Sequence, residues 1–409
     1  MAPVGSMESL AAAIDAGADS VYFGVEGLNM RSGSSANFTS KDLREIVAIC
    51  RDKGVKTYLT LNTVVYNDDI STIANILDAC REAGVTAIIA SDPAVLEMAR
   101  EKGVEIHIST QCNVSNLMAV KYYARFAEVI VLARELTLDQ VATIHKAIKE
   151  EHITGPSGEL IRIEMFCHGA LCLAVSGKCY LSLHLMNRSA NRGVCTQICR
   201  RGYRVEDLET GDELEIDNKY IMSPKDLKTI HFLDRMVDAG VRVFKIEGRA
   251  RGPEYVATAV RCYSEALDSI LDGTYSEEKV KAWGIELAKI FNRGFWDGYY
   301  SGKKLGEWSG KYGSSATRTK FYCGKALRYY PKLGVGEFLL ESGRLEPGEE
   351  VLVIGPNTGV LNFNIEELRL DRDPEMCVSK GQVFSMPVPA RIRPGDKLYR
   401  WVEQIRETE

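Results

Sequence analysis

Hydrophobic and polar positions along the first two-thirds of the chain repeat one local grammar. An amphipathic helical stretch runs to a Gly, and a short, β-branched, nearly continuous apolar run follows it. DAGADSVYFG (15–24), DKGVKTYLTLN (52–62), EAGVTAIIASD (82–92), EKGVEIHISTQ (101–111) and DAGVRVFKIEGR (238–249) are five instances. The Gly supplies the left-handed conformation that stops a helix. The apolar runs are too short and too uninterrupted to be half exposed, which suits a parallel sheet buried on both faces. FAEVIVLARE (126–135) and LIRIEMFCHG (160–169) add two strands without the Gly. With Met1–Pro3 or Tyr220–Met222 completing the count, about eight βα units are expected.

Alternating strands and helices admit an open doubly wound sheet or a closed (β/α)8 barrel. No GxGxxG follows the first strand, and polar residues end nearly every strand as if all faced one mouth. Both features favour an α/β fold of the (β/α)8 TIM-like barrel type. Residues 255–292 read as amphipathic helices, and after NRGFWDGYYSGK (292–303) the grammar changes. From 318 to 402 short strands alternate with Pro-Gly-Glu and Pro-Gly-Asp turns, the pattern of a small antiparallel β-barrel. The expected organisation is a TIM-like barrel over 1–275 with a Cys-rich insertion at 165–205, a helical linker over 276–310, and a small β-barrel domain over 311–409.

Composition narrows the function classes. The chain has 409 residues, 45% hydrophobic and 26% charged, with a formal net charge of −5. That balance argues against a protein that coats nucleic acid over a whole basic face, though not against one local basic patch. No run of eighteen apolar residues appears, so no membrane span is expected. The opening MAPVGSMESL has neither the charged n-region nor the apolar h-region of a signal peptide. Eleven cysteines without an export signal point to a reducing compartment, with the cytoplasm as the expected location.

Five of those cysteines fall in one acid-free stretch. Between Met165 and Val205 stand Cys167, Cys172, Cys179, Cys195 and Cys199 with Lys178, Arg188, Arg192, Arg200, Arg201 and Arg204, and not one Asp or Glu. Cys172-x6-Cys179-x15-Cys195-x3-Cys199 supplies four thiols, enough for a structural zinc or an iron–sulfur cluster. Zinc ribbons use two tight knuckles, and only the second pair here is tight, so the spacing leans to a cluster. A radical-SAM triad would need a cysteine where Gly202 stands. The bland alternative is that these thiols are buried small hydrophobes. The cations either offset the cluster's negative charge or bind phosphates of a nucleic acid or a small anion. They outnumber what a cluster alone requires, which favours the anion.

Strand ends are where a βα barrel carries its chemistry. Here they give Asn62, Ser91-Asp92, Ser109-Thr110-Gln111, Arg134-Glu135, His168, and Lys245, Glu247 and Arg249. Lys245 and Glu247 share one face of a strand and are expected to pair or to hold an acidic ligand. Alternation turns Cys167 away from His168, so Cys167 is expected to pack. His168 is open between a mouth residue and a structural histidine. HExxH, GxSxG and P-loop signatures are missing.

HGALC (168–172), SGKCYLS (176–182), NRGVCTQICR (191–200), SPKDL (223–227) and FKIEGR (244–249) resemble the collagenase-like peptidase family, the peptidases of unassigned catalytic type. The resemblance covers nearly the whole chain and is closest to the tRNA uridine hydroxylation branch. It implies an oxygen-independent hydroxylase with a 4Fe-4S cluster, zinc being the alternative. Its target would be tRNA wobble uridine, giving 5-hydroxyuridine, with prephenate as a hydroxyl-donor co-substrate. Collagenase-like peptidase activity, or hydroxylation of an rRNA cytidine or a quinone precursor, are the alternatives it leaves. Carried onto this chain, the cluster ligands are Cys172, Cys179, Cys195 and Cys199. Some relatives use a cysteine just after SPKDL, where this chain has Lys228, so Cys199 serves instead. The catalytic candidates are His168, Lys245, Glu247 and Arg249. Gln111, Arg134, Arg200, Arg201 and Arg204 are the substrate-binding candidates, with tRNA as the expected partner. A homo- or hetero-oligomer is compatible with the sequence.

Overall fold

The computed structural model describes the chain except for residues 26, 34–37, 204, 212, 215–221, 304, 372 and 405–409. Eight strands follow one another in parallel: β1 (Ala2–Pro3), β2 (Ser20–Phe23), β3 (Lys56–Leu61), β4 (Ala87–Ala90), β5 (Ile106–Ile108), β6 (Val129–Val131), β7 (Arg162–Gly169) and β8 (Val241–Ile246). The far edges also meet: Ile246 N donates to Met1 O at 3.1 Å, and the Met1 ammonium donates to Phe244 O at 2.8 Å. The Met1–Pro3 segment is thus one of the parallel strands. Tyr220 and Ile221, the other segment considered for that place, lie outside the described residues. A short strand, Asp226–Lys228, pairs antiparallel with the end of β7 and parallel with Phe295–Trp296.

Helices α1 (Met7–Asp15), α2 (Leu43–Asp52), α3 (Ile70–Ala83), α4 (Pro93–Glu101), α5 (Leu117–Tyr123) and α6 (Leu138–Glu150) connect the first seven strands. A short α7 (Leu181–Met186) lies in the Cys-rich segment, and α8 (Leu233–Asp238), α9 (Pro253–Leu271) and α10 (Glu277–Lys289) follow. Some starts carry side-chain caps: Ser6 accepts from Ser9 N ahead of α1, and Asp92 from Ala94 N ahead of α4, with Pro93 in the first turn. Gly17, Gly54, Gly84, Gly103 and Gly240, the stops read from the sequence, all have φ between +68° and +94°.

Strand alternation sorts the residues into two environments. Val21, Phe23, Leu59, Leu61, Ile88, Ile106, Ile108, Ile163 and Met165 belong to the large core shared with the helices. The opposite parity holds Tyr22, Tyr58, Ala87 and Ile89, a separate small cluster, and with it His107, Glu164 and Lys245. The inward face of the sheet is therefore polar as well as buried. Trp283, Leu287, Ile290, Trp296 and Tyr300, from the 276–310 segment, are part of the large core.

Beyond residue 317 eight strands form an antiparallel sheet with its own core, including Phe338, Leu340, Val353, Phe384 and Leu398. This second unit is tied to the first by Thr317 N to Ala288 O at 3.0 Å and by Lys320–Glu254 at 2.6 Å.

A candidate site at the strand ends

The lowest inward layer is a charged one. Lys245 Nζ reaches Glu164 Oε1 at 2.7 Å, with the two side chains 6% and 0% exposed. The ammonium also lies over the Tyr22 ring at 4.6 Å and the Phe166 ring at 5.7 Å. His107 stacks on Tyr58 with centroids 4.5 Å apart and stands 3.7 Å from Glu164 Oε2. Burial alone would raise the Glu164 pKa, but Lys245 and His107 hold it at about 2. Lys245 does not pair with Glu247, as the shared strand face suggested. Each has its own partner, because Glu164 of the neighbouring β7, in register with Val243, reaches Lys245.

One turn higher, the side chains line an open cavity of about 630 Å³, inside the range of roughly 300–1,000 Å³ usual for small-molecule sites. Glu247 is bonded by Arg31, Nη2 to Oε1 at 2.5 Å, and accepts from Tyr22 Oη at 3.2 Å. Burial would raise its pKa; Arg31 first, then Arg249 and Arg134, keep it at about 2. Arg249, 5% exposed, donates to Thr60 Oγ1 at 2.8 Å. Burial lowers its pKa to about 10, against the pull of Tyr22 and Glu247. Arg134 donates to Ser176 Oγ at 3.1 Å, and its Nε is buried without a partner. Among the described residues three guanidiniums thus surround one carboxylate, a local excess of positive charge that suits an anion. On the facing wall Asn62 Nδ2 donates to Ser109 Oγ and Gln111 Oε1, both at 3.1 Å, and the Ser109 hydroxyl donates to Gln111.

The Cys-rich segment forms the rim. Leu171 to Ser182 line the cavity, followed by Cys195, Gln197, Ile198, Cys199 and Arg200. The segment has little regular structure and is held by side-chain bonds to the strand-end loops. The Asn191 side chain accepts from Cys179 N at 3.1 Å within the segment, and its backbone carbonyl accepts from Val64 N at 3.0 Å. Asn113 Nδ2 donates to Ser176 O at 3.1 Å. Arg192 bonds Asp69 at 2.5 Å and stacks on Tyr66 at 4.2 Å. Cys172, Cys179, Cys195 and Cys199 all line the cavity. Burial pushes the Cys199 thiol up to about 11; Arg200 opposes it, and the negative charges of Cys172, Cys195 and Cys179 add to it. The other three cysteines therefore bear on Cys199 across one space. Among the described residues no three His, Cys, Asp or Glu side chains are drawn together at metal-binding distance. In number, chemistry and placement around one cavity the four cysteines suit a thiolate-held group.

Other candidates lie elsewhere. His168, 1% exposed, sits among Tyr255, Tyr263 and Phe295, with ring centroids 5.4–5.9 Å away. Its Nδ1 is 3.4 Å from Tyr263 Oη, and burial lowers its pKa to about 3. It is packed under α9. The register between β7 and β8 slips there, Phe166 facing Lys245 and His168 facing Ile246, so Cys167 is an extra residue and alternation breaks. Cys167 is fully buried, with its thiol 3.4 Å from Lys245 O. Arg200 turns inward onto backbone oxygens, Arg201 is exposed, and Arg204 lies outside the described residues. Asp92 caps α4, and Glu135 is exposed. Sequence reading missed Glu164, Arg31, Arg251 and Arg293. An acid at inward parity in LIRIEMFC would have flagged Glu164. Arg31 sits in a loop after β2 with no periodic signal.

Peptidase family U32 matches residues 5–310 of this chain. A Porphyromonas gingivalis protein named collagenase is 61% identical over 401 residues, covering 98% of this chain and 97% of that one. The Bacillus subtilis tRNA hydroxylation protein P1 is 32% identical over 408 residues, covering 97% and 93%. An Escherichia coli 23S rRNA 5-hydroxycytidine synthase is 35% identical over 296 residues, covering 70% and 43%.

Proposed function

We propose that this chain, which belongs to peptidase family U32, is an RNA-modifying hydroxylase that acts on tRNA wobble uridine without molecular oxygen. The observation that carries the reading is a single cavity at the strand ends, with four thiols on its rim and an excess of guanidinium inside. The relatives named for tRNA and rRNA hydroxylation give the target class. The two hydrogen bonds from β8 to Met1 support a closed (β/α)8 barrel, whose mouth that cavity would be.

Cys172, Cys179, Cys195 and Cys199 would hold a 4Fe-4S cluster, which supplies one-electron chemistry when bound. The chain's own residues do the rest. Arg249 and Arg134, neither with a carboxylate at ion-pair distance among the described residues, suit the carboxylates of a small acid such as prephenate. The Asn62–Ser109–Gln111 wall offers amide groups to the polar edge of a pyrimidine. Lys245, fixed by Glu164, keeps a positive charge beneath both. Exposed Arg201 and Lys178 are placed to meet phosphates outside the mouth.

The test is nucleoside analysis of tRNA from a bacterial strain lacking its own uridine hydroxylation and expressing this chain. Wild type is expected to restore 5-hydroxyuridine and Cys195→Ala is not. Soluble wild-type protein that restores none would overturn the assignment.

The 61% relative named collagenase favours a second reading, a peptidase. Anaerobic purification separates the two. Stoichiometric iron and sulfide support the hydroxylase, and zinc with gelatin cleavage supports the peptidase.

A further inference from the structure

Arg200 was expected to bind substrate phosphates, yet every bond its guanidinium makes among the described residues goes inward to a neutral oxygen. Nη2 donates to Leu171 O at 2.5 Å, and Nη1 to Pro224 O at 2.6 Å and Ser223 Oγ at 3.1 Å. Leu171 precedes Cys172, and Arg200 follows Cys199. The side chain is therefore a strut that joins the first and last cysteines of the set to the entrance of the Asp226–Lys228 strand.

Its charge is as informative as its bonds. Asp226, the acid that bears on it, is already paired with Arg293 at 3.3 Å, and that pair sums to zero. Arg251, stacked on Phe291 at 3.5 Å, adds a further cation to the same wall. Among the described residues no free carboxylate in the wall cancels the charge of Arg200, and enclosing an uncancelled guanidinium is unfavourable unless an anion lies close by. Cys172 and Cys199 each stand one residue from an end of this strut, so a thiolate-held group on them would put its negative charge beside the guanidinium.

We infer that Arg200 is a positioning residue for the four-cysteine site. It holds the Cys172 loop against the Cys199 turn and supplies a fixed positive charge that favours a more reduced group bound there. This rests on the cluster reading above. A cation beside a cluster stabilises the added electron, so losing the charge moves the reduction potential to more negative values.

The experiment uses the full chain purified anaerobically as wild type, Arg200→Gln, Arg200→Lys and, as a surface control, Arg201→Gln. Iron and acid-labile sulfide are measured after gel filtration, and the midpoint potential by EPR-monitored titration. Arg200→Gln is expected to lose iron and show a more negative midpoint. Arg200→Lys is expected to keep a midpoint near wild type but lose iron, because an ammonium cannot span Leu171 O and Pro224 O in the same fork. Arg201→Gln is expected to match wild type in both. Arg200→Gln with wild-type midpoint and iron, or an equal shift in Arg201→Gln, would overturn the inference and leave the cluster reading intact. If Arg200→Gln does not fold, full iron retention by Arg200→Lys would overturn it. Wild type without iron would sink the cluster reading and this inference with it.

Discussion

Replacing Lys245 by Met removes one charge from the buried pair while nearly preserving its volume. In the wild type Glu164 is fully buried, 2.7 Å from the ammonium, with its pKa held at about 2. It is ionised at both pH 7 and pH 5. Without Lys245 the carboxylate keeps only His107, at 3.7 Å, and an unpaired buried carboxylate takes a proton instead. Taking that proton at pH 7 costs about 3.4 kcal/mol, against an unfolded-state pKa of 4.5. At pH 5 the same step costs about 0.8 kcal/mol. The folded variant then binds a proton that the unfolded chain lacks, so its stability rises as pH falls. The gap to wild type should therefore be at least about 3 kcal/mol at pH 7, the usual cost of breaking a buried pair. It should shrink by about 2.5 kcal/mol at pH 5. Urea unfolding followed by tryptophan fluorescence reads this directly, since Trp283 and Trp296 are in the large core. The transition of that core is the one to compare, because two cores need not unfold as one. A gap that is unchanged or wider at pH 5 would refute Glu164 as the ionised partner. The double variant Lys245→Met/Glu164→Gln should show nearly the same gap to wild type at pH 7 and pH 5, because it has no carboxyl left there to titrate.

His168 is held neutral in the fold with a pKa of about 3, against 6.5 unfolded. Below pH 6.5 the unfolded chain takes the proton first, so stability falls by up to about 1.4 kcal/mol per pH unit down to about 3. His168→Phe should flatten that limb of the melting temperature against pH; parallel limbs would rule the assignment out. Gly193 has φ +87°, and a Cβ there would stand 2.2 Å from Asn29 O. Gly193→Ala should destabilise the Cys195 turn by about 1–3 kcal/mol and lower iron content with unchanged far-UV circular dichroism. Gly310→Ala, where a Cβ meets nothing within 4 Å, is the control. Equal iron in the two would remove this turn from the site.

The repeating units were legible because each signal is local. A helix stop, a buried apolar run and a turn dipeptide each act within a few residues, and the five glycines adopt the positive φ that their pattern required. Inward parity was also legible in principle. What alternation could not reveal is the slip between β7 and β8, which inserts Cys167 and carries His168 out under α9. A one-residue bulge depends on pairing between segments about eighty positions apart, and no local pattern encodes it. The same distance hid the partners of Lys245 and Glu247. Their spacing predicted a shared face, but Glu164 and Arg31, brought in from other strands and loops, took each of them first.

The acid-free stretch was the clearest sequence signal, and the structure divides its cations by role. Arg192 is neutralised by Asp69, from the loop before α3, and so fastens the segment to the strand ends. Arg200 is bonded to carbonyls and keeps its charge beside Cys172 and Cys199. Lys178, on the rim of the cavity, and Arg188 and Arg201 remain exposed. An Asp or Glu in this stretch could reach the same wall, pair with Arg200 and cancel the charge that we infer Arg200 supplies to the cysteine site. It would also add a negative charge beside Cys199, whose thiol the neighbouring cysteines already push up. The absence of acids is thus a condition on the site itself, and one that composition alone had expressed only as a local excess of positive charge.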